Sequence, residues 1–194
     1  MRRDFEIRLA TVPDVEIIAR QRARMFHEMG LVPDHLFESY RTQCETRLRG
    51  QLASGEYVGW LAQPVAQPDK IVAGVGAQRR RVLPHPVGEP GCEIVIAEGR
   101  HAIVTNVFTD PDWRRRGLAT SLMNRLIAWA RTERLDRLVL HASEAGRLVY
   151  ERLGFIQTNE MRFKDRLDVP ETGQSYQAES APHEQDRAAD RAID

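Results

Sequence analysis

This 194-residue chain has little cysteine, almost no lysine, no long apolar run and no net charge. Its two cysteines, Cys44 and Cys92, stand far apart and match no metal-ligand spacing. That points to no metal and leaves a reduced thiol pair as the plain reading, with a disulfide as the minority one. No stretch approaches the roughly 20 apolar residues of a membrane helix, so no membrane partner is expected. In the opening MRRDFEIRLA, Asp4, Glu6 and Arg8 interrupt what a secretory signal would need as an apolar core, and a cytoplasmic location is the expectation. Lys70 and Lys164 are the only lysines among 28 basic residues, so arginine carries nearly all the positive charge. The 28 acids balance it overall, but residues 165–194 hold eight acids and three arginines, which leaves residues 1–164 with a net charge of +5. That excess suits an anionic ligand and is too small to imply nucleic acid by itself.

What is present reads as alternating strands and helices without an internal repeat. FEIRLAT (5–11) alternates as a strand does. Thr11 with Pro13 and Asp14 marks a helix start. That helix places Val15, Ile18, Phe26 and Met29 on one side and stops at Gly30. Pro33-Asp34 opens a second helix through Leu48. Strands follow at 57–62 and 70–77, around a turn rich in proline. Residues 78–100 carry three prolines and three glycines after position 81 and read as a long loop, with EIVIA adding some strand. HAIVTNVFT (101–109) is a strong strand. GLATSLMNRLIAWARTE is an amphipathic helix with Leu118, Leu122, Leu126 and Trp129 in one stripe. Strand 137–142, a helix 143–153 capped by Ser143, and a last strand FIQTNEMRF complete a folded part at 1–164. Residues 165–194 are polar and acidic, have too few apolar groups to offset the entropy of ordering, and read as a disordered tail.

The segment DPDWRRRGLATSL (110–122) joins a strong strand to a helix. A helix start presents N–H groups with no partner one turn back, and these carry partial positive charge. Such a start binds phosphate through backbone, with Gly117 leaving no Cβ in the way. A phosphate loop therefore accounts for arginine, glycine and helix start together, whereas a nucleic-acid patch accounts for the arginines alone; a solvated turn is the plain third reading.

Arg114-x-x-Gly117-x-Ala119 resembles the acyl-CoA pyrophosphate loop of the GNAT superfamily of N-acyltransferases. HASEAGRLVYERLGF (141–155) resembles the other signature of that family, a strand end and short helix bearing Tyr150, closed by Gly154 and Phe155. The resemblance covers residues 5–164. It implies an α/β (α+β) fold: a mixed twisted central sheet of six to seven strands, a V-shaped splay between the fourth and fifth strands (101–109 and 137–142), and about four flanking helices. It implies that acetyl-CoA lies in the splay, with its pantetheine arm along Val107, Phe108 and Thr109. Its pyrophosphate would meet the N–H groups of Arg115, Arg116, Gly117, Leu118, Ala119 and Thr120, with Arg114 heading the motif. Ser143 stands where the family often has Asn, and Gly146 where it often has Ala, so a cofactor contact at Ser143 has a shorter reach.

The same resemblance implies that Tyr150 stands near the thioester sulfur and protonates the leaving thiolate. Packing at a helix–sheet interface is the plainer reading of that tyrosine. Some members carry a glutamate base on the fourth strand. Counting from the loop, Ile103 occupies that place. His101, two residues earlier on the same face by period, is the nearest replacement; Glu93, Glu98 and water are the other routes. Asn106 either hydrogen-bonds its neighbours or lines the substrate cleft. Arg79, Arg80 and Arg81 read as a solvated cluster, with a contact to the 3′-phosphate of CoA or to an acidic substrate as the alternative. Glu28 and its aromatic neighbours border the acceptor. The expected function is an N-acetyltransferase acting from acetyl-CoA on a primary amine by direct transfer, with a homodimer as one way to place the tail. Its rivals are a CoA-binding module acting through a partner and, last, a nucleic-acid-binding protein.

Overall fold

The structure, a computed structural model, describes residues 4–88, 91–158 and 160–161. Strands β1 (Phe5–Leu9), β2 (Tyr57–Pro64), β3 (Ala73–Arg81), β6 (Arg100–Thr109) and β7 (Arg137–Leu140) form one sheet in the order β1-β2-β3-β6-β7. All neighbours are antiparallel except β6 and β7. A parallel pair needs a crossover, and helix α3 (Leu118–Thr132) supplies it. β4 (His85–Val87) and β5 (Val95–Ala97) make a separate two-stranded ribbon. Helices α1 (Val15–Glu28), α2 (Asp34–Ser54) and α4 (Glu144–Arg152) complete the described elements. Among the described residues no helix is long and apolar enough to cross a membrane.

α3 covers one face of the sheet. Leu122, Met123 and Leu126 are fully buried there against Ala73, Val75, Ala77, Ala102 and Val104. Burying each such large side chain contributes about 1.5–3 kcal/mol. α1 and α2 cover the other face through Val15, Ile18, Ala19 and Leu48, packed on Tyr57 and Leu61. β3 is built of small residues so that this second face admits large groups. A Cβ on Gly76 would stand 1.7 Å from the Tyr57 hydroxyl. The glycine therefore opens the space in which that hydroxyl is held.

The capping signals act as read. The Asp14 carboxylate accepts from the Thr11 N–H at 2.8 Å and binds Arg8 at 2.7 Å. Gly30 takes φ +72° and Leu31 N donates to Phe26 O at 2.9 Å, closing α1. Other expectations need correction. Met29 leaves the buried stripe and is 47% exposed, because it lies past the last helical turn that faces the sheet. α2 runs on to Ser54, since Gly50 is tolerated inside it and the left-handed stop comes at Gly55. Residues 78–100 are not one long loop. β3 continues through Arg81, paired with Arg100, and the proline-rich remainder folds back as the β4–β5 ribbon. Ser143 occupies the cap position of α4 through its carbonyl, which accepts from Arg147 N at 3.1 Å, and its hydroxyl makes no cap bond. Residues 155–158 and 160–161 form no strand; Phe155 instead closes α4. The rest of that expected strand and the 165–194 tail lie outside the described residues.

Candidate functional site

β6 and β7 pair only from His101 with Arg137 to Val104 with Leu140. β7 then ends, and β6 runs on through Thr109 with β3 alone beside it. The sheet forks at that point. Between Gly76 and Ala77 the β3–β6 register shifts, so Thr105 is the extra residue of a bulge. Beyond it, Asp110 N donates to Val72 O at 2.9 Å. Antiparallel alternation then turns the peptide groups of Phe108 and Asn106 toward β3, and those of Val107 and Thr109 into the fork. Of the three residues 107–109, Phe108 is thus buried and committed to the sheet. Thr109 O accepts Arg114 Nε at 3.0 Å. Val107 offers both its N–H and its C=O to the opening.

The chain reaches α3 through a 3-10 turn, Pro111–Trp113, and a tight loop. Arg115 takes φ +59° and Gly117 φ +76°, two left-handed residues one apart. Such alternation turns successive N–H groups to one side and makes an anion-binding concavity. Ser121 N donates to Gly117 O at 2.9 Å, the first bond of α3. The N–H groups of Leu118, Ala119 and Thr120 before it have no acceptor one turn back. A Cβ at Gly117 would meet nothing within 4 Å. Within the protein itself it is the left-handed backbone angle that calls for glycine at this position. Arg116 lies over the Trp113 ring at 4.7 Å and donates to Asp112 O at 3.2 Å; Arg115 is exposed.

α1 clamps both the fork and the loop. Arg24 pairs with Asp110 and sits over Phe108 at 4.9 Å. Glu28 pairs with Arg114. Glu28, expected beside the acceptor, therefore anchors the loop. Arg22 Nη1 donates to Thr105 O at 2.8 Å and to Asn106 Oδ1 at 2.7 Å. Asn106, 5% exposed, also donates to the Tyr57 hydroxyl at 3.2 Å. The hydrogen-bonding reading of Asn106 holds, and the residue also lines a cavity of about 270 Å³ between α1, α2 and β6. Arg22, Tyr40, Cys44, Arg47 and Thr105 share that cavity. Burial pushes the Tyr40 phenol up to about 12, and burial raises the Tyr57 phenol further still.

Tyr150 sits in the last turn of α4, half-buried against the core cluster that also holds Val107 and Leu140 from the two sides of the fork. Gly154 takes φ +90°, Gly154 N donates to Glu151 O, and Phe155 N donates to Tyr150 O at 3.0 Å. This is a left-handed helix stop, and its apolar pair is Phe155 on Tyr150, with ring centroids 6.1 Å apart. The Tyr…Gly-Phe spacing thus has a mechanical cause besides any chemical one. A Cβ on Gly146 would stand 2.8 Å from the Tyr150 ring, so that glycine lets the ring lie back over its own helix. None of the described residues hydrogen-bonds the Tyr150 hydroxyl, and burial raises its pKa above the ordinary tyrosine value.

Other predicted site residues are not brought to the fork. His101 stands at the paired start of β6, six residues from Val107, or about 20 Å of strand. Its Nε2 lies 3.3 Å from that of His85. Burial, then His85 and Arg137, hold its pKa below the usual histidine value. Glu98 pairs with Arg100 at 3.4 Å, and Glu93 is exposed just before β5, both at this same end of β6. Arg79 is bound to Glu133 at 2.9 Å, just past the far end of α3 from its free N–H groups, whereas Arg80 and Arg81 are exposed, as the solvated reading expects. Arg80 and Arg81 pair with His101 and Arg100 in register. Sequence reasoning missed Arg22, Tyr40, Tyr57 and the bulge at Thr105. The polar Asn106 inside an apolar strand was the one available signal. Among the described residues no group of three or more His, Cys, Asp or Glu could hold a metal ion.

With this geometry in place, comparison with known proteins is informative. A family profile, Acetyltransferase (GNAT) family, matches residues 22–155. A comparison with curated proteins found no match. Among solved structures, a GCN5-related N-acetyltransferase from Ralstonia eutropha JMP134 is 29% identical, with a TM-score of 0.70 over 83% of this chain and 98% of that one. A predicted acetyltransferase with acetyl-CoA from Clostridium acetobutylicum is 25% identical, with a TM-score of 0.68 over 83% and 96%. An aminoglycoside N-acetyltransferase in complex with CoA is similar in fold alone, at 17% identity and a TM-score of 0.57 over 84% and 94%.

Proposed function

We propose that this chain, which belongs to the acetyltransferase (GNAT) family, moves an acetyl group from acetyl-CoA directly to a primary amine. The observation that carries the reading is the fork. Among the described residues, one strand edge, at Val107 and Thr109, is left without a β partner beside a helix start whose first N–H groups have no acceptor. The donor set fits a coenzyme that has an amide-bearing arm and a pyrophosphate: an edge strand pairs with amides, and a helix start with a left-handed loop holds phosphate.

In this reading the N–H groups of residues 115–120 hold the pyrophosphate. Arg114 acts indirectly, since its guanidinium is committed to Thr109 O and Glu28 and keeps the loop in place. Val107 orients the arm and its N–H faces the oxygen that gains charge as the amine attacks. Tyr150 is protonated at neutral pH as tyrosines are, and burial raises its pKa further. It donates to the departing sulfur. One C–N bond forms as one C–S bond breaks. The ammonium of the acceptor gives up two protons, one ending on the thiol and one in solvent. With His101, Glu93 and Glu98 at the other end of β6, water carries that second proton outward. Holding both reactants in one fork makes a covalent enzyme intermediate unnecessary.

The test is thiol release from acetyl-CoA across a panel of primary amines, with the acetylated product identified by mass. Acetyl-CoA binding without release for every amine class would sink the transferase reading and leave a CoA-binding module.

A further inference from the structure

We infer that the cavity between α1, α2 and β6 selects an acceptor amine that also carries a carboxylate, and that Arg22 is the residue that reads it. The inference deepens the transferase reading and rests on it.

The bulge decides the location. It places Thr105 and Asn106, consecutive residues, both toward α1, and both line the cavity immediately past the last β6–β7 pair. The cavity therefore meets β6 at the fork itself. Its volume of about 270 Å³ lies just under the usual range for drug-sized ligands, which suits a small acceptor.

The lining decides the chemistry. Arg22 and Arg47 contribute two guanidiniums, and among the described residues no carboxylate lines the cavity. The acid just outside the lining, Glu56, is occupied by Gln51 Nε2 at 3.1 Å and Gln78 Nε2 at 3.4 Å. Arginines along the same helix are neutralised: Arg20 by Glu16 and Arg24 by Asp110. Among the described residues no carboxylate pairs with Arg22 or Arg47. Arg22 is half-buried, with Phe26 against its guanidinium at 4.9 Å. Its Nη1 is tied to Thr105 O and Asn106 Oδ1, and the Tyr40 hydroxyl stands within hydrogen-bonding reach of the same guanidinium, so the group is held in one plane at the cavity wall with no carboxylate on it among the described residues. A half-buried cation without its anion is a desolvation cost that a bound carboxylate removes, and the planar fork suits carboxylate geometry. A polycationic acceptor meets two like charges there and no acid to offset them.

The experiment offers each acceptor in matched forms to the full-length protein: α-amino acids against their carboxamides, with a polyamine and an aminoglycoside as cationic arms. Thiol release gives kcat/KM. In parallel, calorimetry measures binding of N-acetyl amino acids and their amides in the presence of CoA. The carboxylate form is expected to exceed its amide at least ~10-fold, the range of a charge-assisted hydrogen bond. Arg22→Gln is expected to bring the ratio near one, mainly through KM, with acetyl-CoA affinity unchanged, and Arg22→Lys to restore part of it. Arg47 is exposed, so Arg47→Gln keeps the fold and is expected to lower the ratio ~3-fold. It carries the test if Arg22→Gln melts early. Equal use of amides, preference for the cations, or an unchanged ratio in the folded variants overturns the carboxylate site and leaves the transferase standing. Carboxylate binding that depends on Arg22, with no turnover of any amine, keeps the site and overturns the transferase. Neither binding nor turnover overturns both.

Discussion

The two halves of β6 share one strand and differ in everything that matters for chemistry. Residues 101–104 are paired on both sides, with β3 and β7, and the start of β7 is anchored by Asp136, which exchanges hydrogen bonds of 2.6 and 2.7 Å with Arg100. Residues 105–109 are paired on one side only, and α1 holds them through Arg22 and Arg24. The first half contains the histidine that chemistry would choose as a base. The second half contains apolar residues, a threonine pair and an asparagine. The opening lies in the second half because β7 stops at Leu140, so a reactive side chain counts for less than an unsatisfied strand edge.

The largest expected effect comes from the loop that faces the open half. Gly117→Asp is expected to weaken acetyl-CoA binding by about 10³-fold. A side chain at φ +76° costs about 1–2 kcal/mol, and a carboxylate near a pyrophosphate adds repulsion of several kcal/mol at an effective dielectric near 20. Arg115→Ala removes only an exposed charge and should cost under ~10-fold. Calorimetry on both variants decides it; a smaller loss for the glycine variant breaks the backbone-cradle account. Gly117→Ala isolates the strain from the charge.

Tyr150→Phe comes next, with turnover falling by about 10²-fold and acetyl-CoA affinity unchanged. The substitution keeps the ring that packs on Phe155 and removes only the hydroxyl. The wild-type rate has a pH signature of the same origin. Because the acid form is the useful one and its pKa is raised, the alkaline loss of kcat attributable to this group should begin only above the ordinary tyrosine range. A fall near pH 9, or a joint loss of binding and turnover in the variant, assigns Tyr150 to packing.

Asn106→Ala tests the junction of the two halves. It leaves the Tyr57 hydroxyl without its buried partner and takes one of the two acceptors from Arg22 Nη1, with Thr105 O remaining. The expected loss is about 2 kcal/mol of stability, or roughly 30-fold in the folding equilibrium, read by denaturant melts. An unchanged midpoint would show that water replaces the network. The smallest effect belongs to the closed half. His101→Gln is expected to change turnover by less than ~2-fold, and a loss beyond ~10-fold would return the histidine to the site and undo the contrast.

Much of the frame was legible because its signals are local. The stripe of Leu118, Leu122 and Leu126 is buried as its period requires. The loop with Gly117 does turn into a helix start, through a left-handed angle that glycine adopts without strain. The Gly154-Phe155 stop is made within one turn. Met29 misled because an apolar residue continued the period past the point where the helix leaves the sheet. Residues 78–100 misled because prolines and glycines mark loops in general, while pairing with Arg100, Ala102 and neighbouring residues extended β3 as a strand.

What the sequence by itself determined is where helices begin and end and which of their faces turn inward. Those outcomes rest on contacts within a turn or two, such as Asp14 with the Thr11 N–H and Leu31 N with Phe26 O. Tertiary structure alone decided which half of β6 is open, that Thr105 bulges, and that Arg22 and Arg47 face one cavity without an acid. Each of those depends on the register of β6 against β3 and β7, or on α1 and α2 docking more than 50 residues away in the chain. A hydrogen-bond ladder is specified jointly by its two strands, so no reading of one strand reveals where its partner stops.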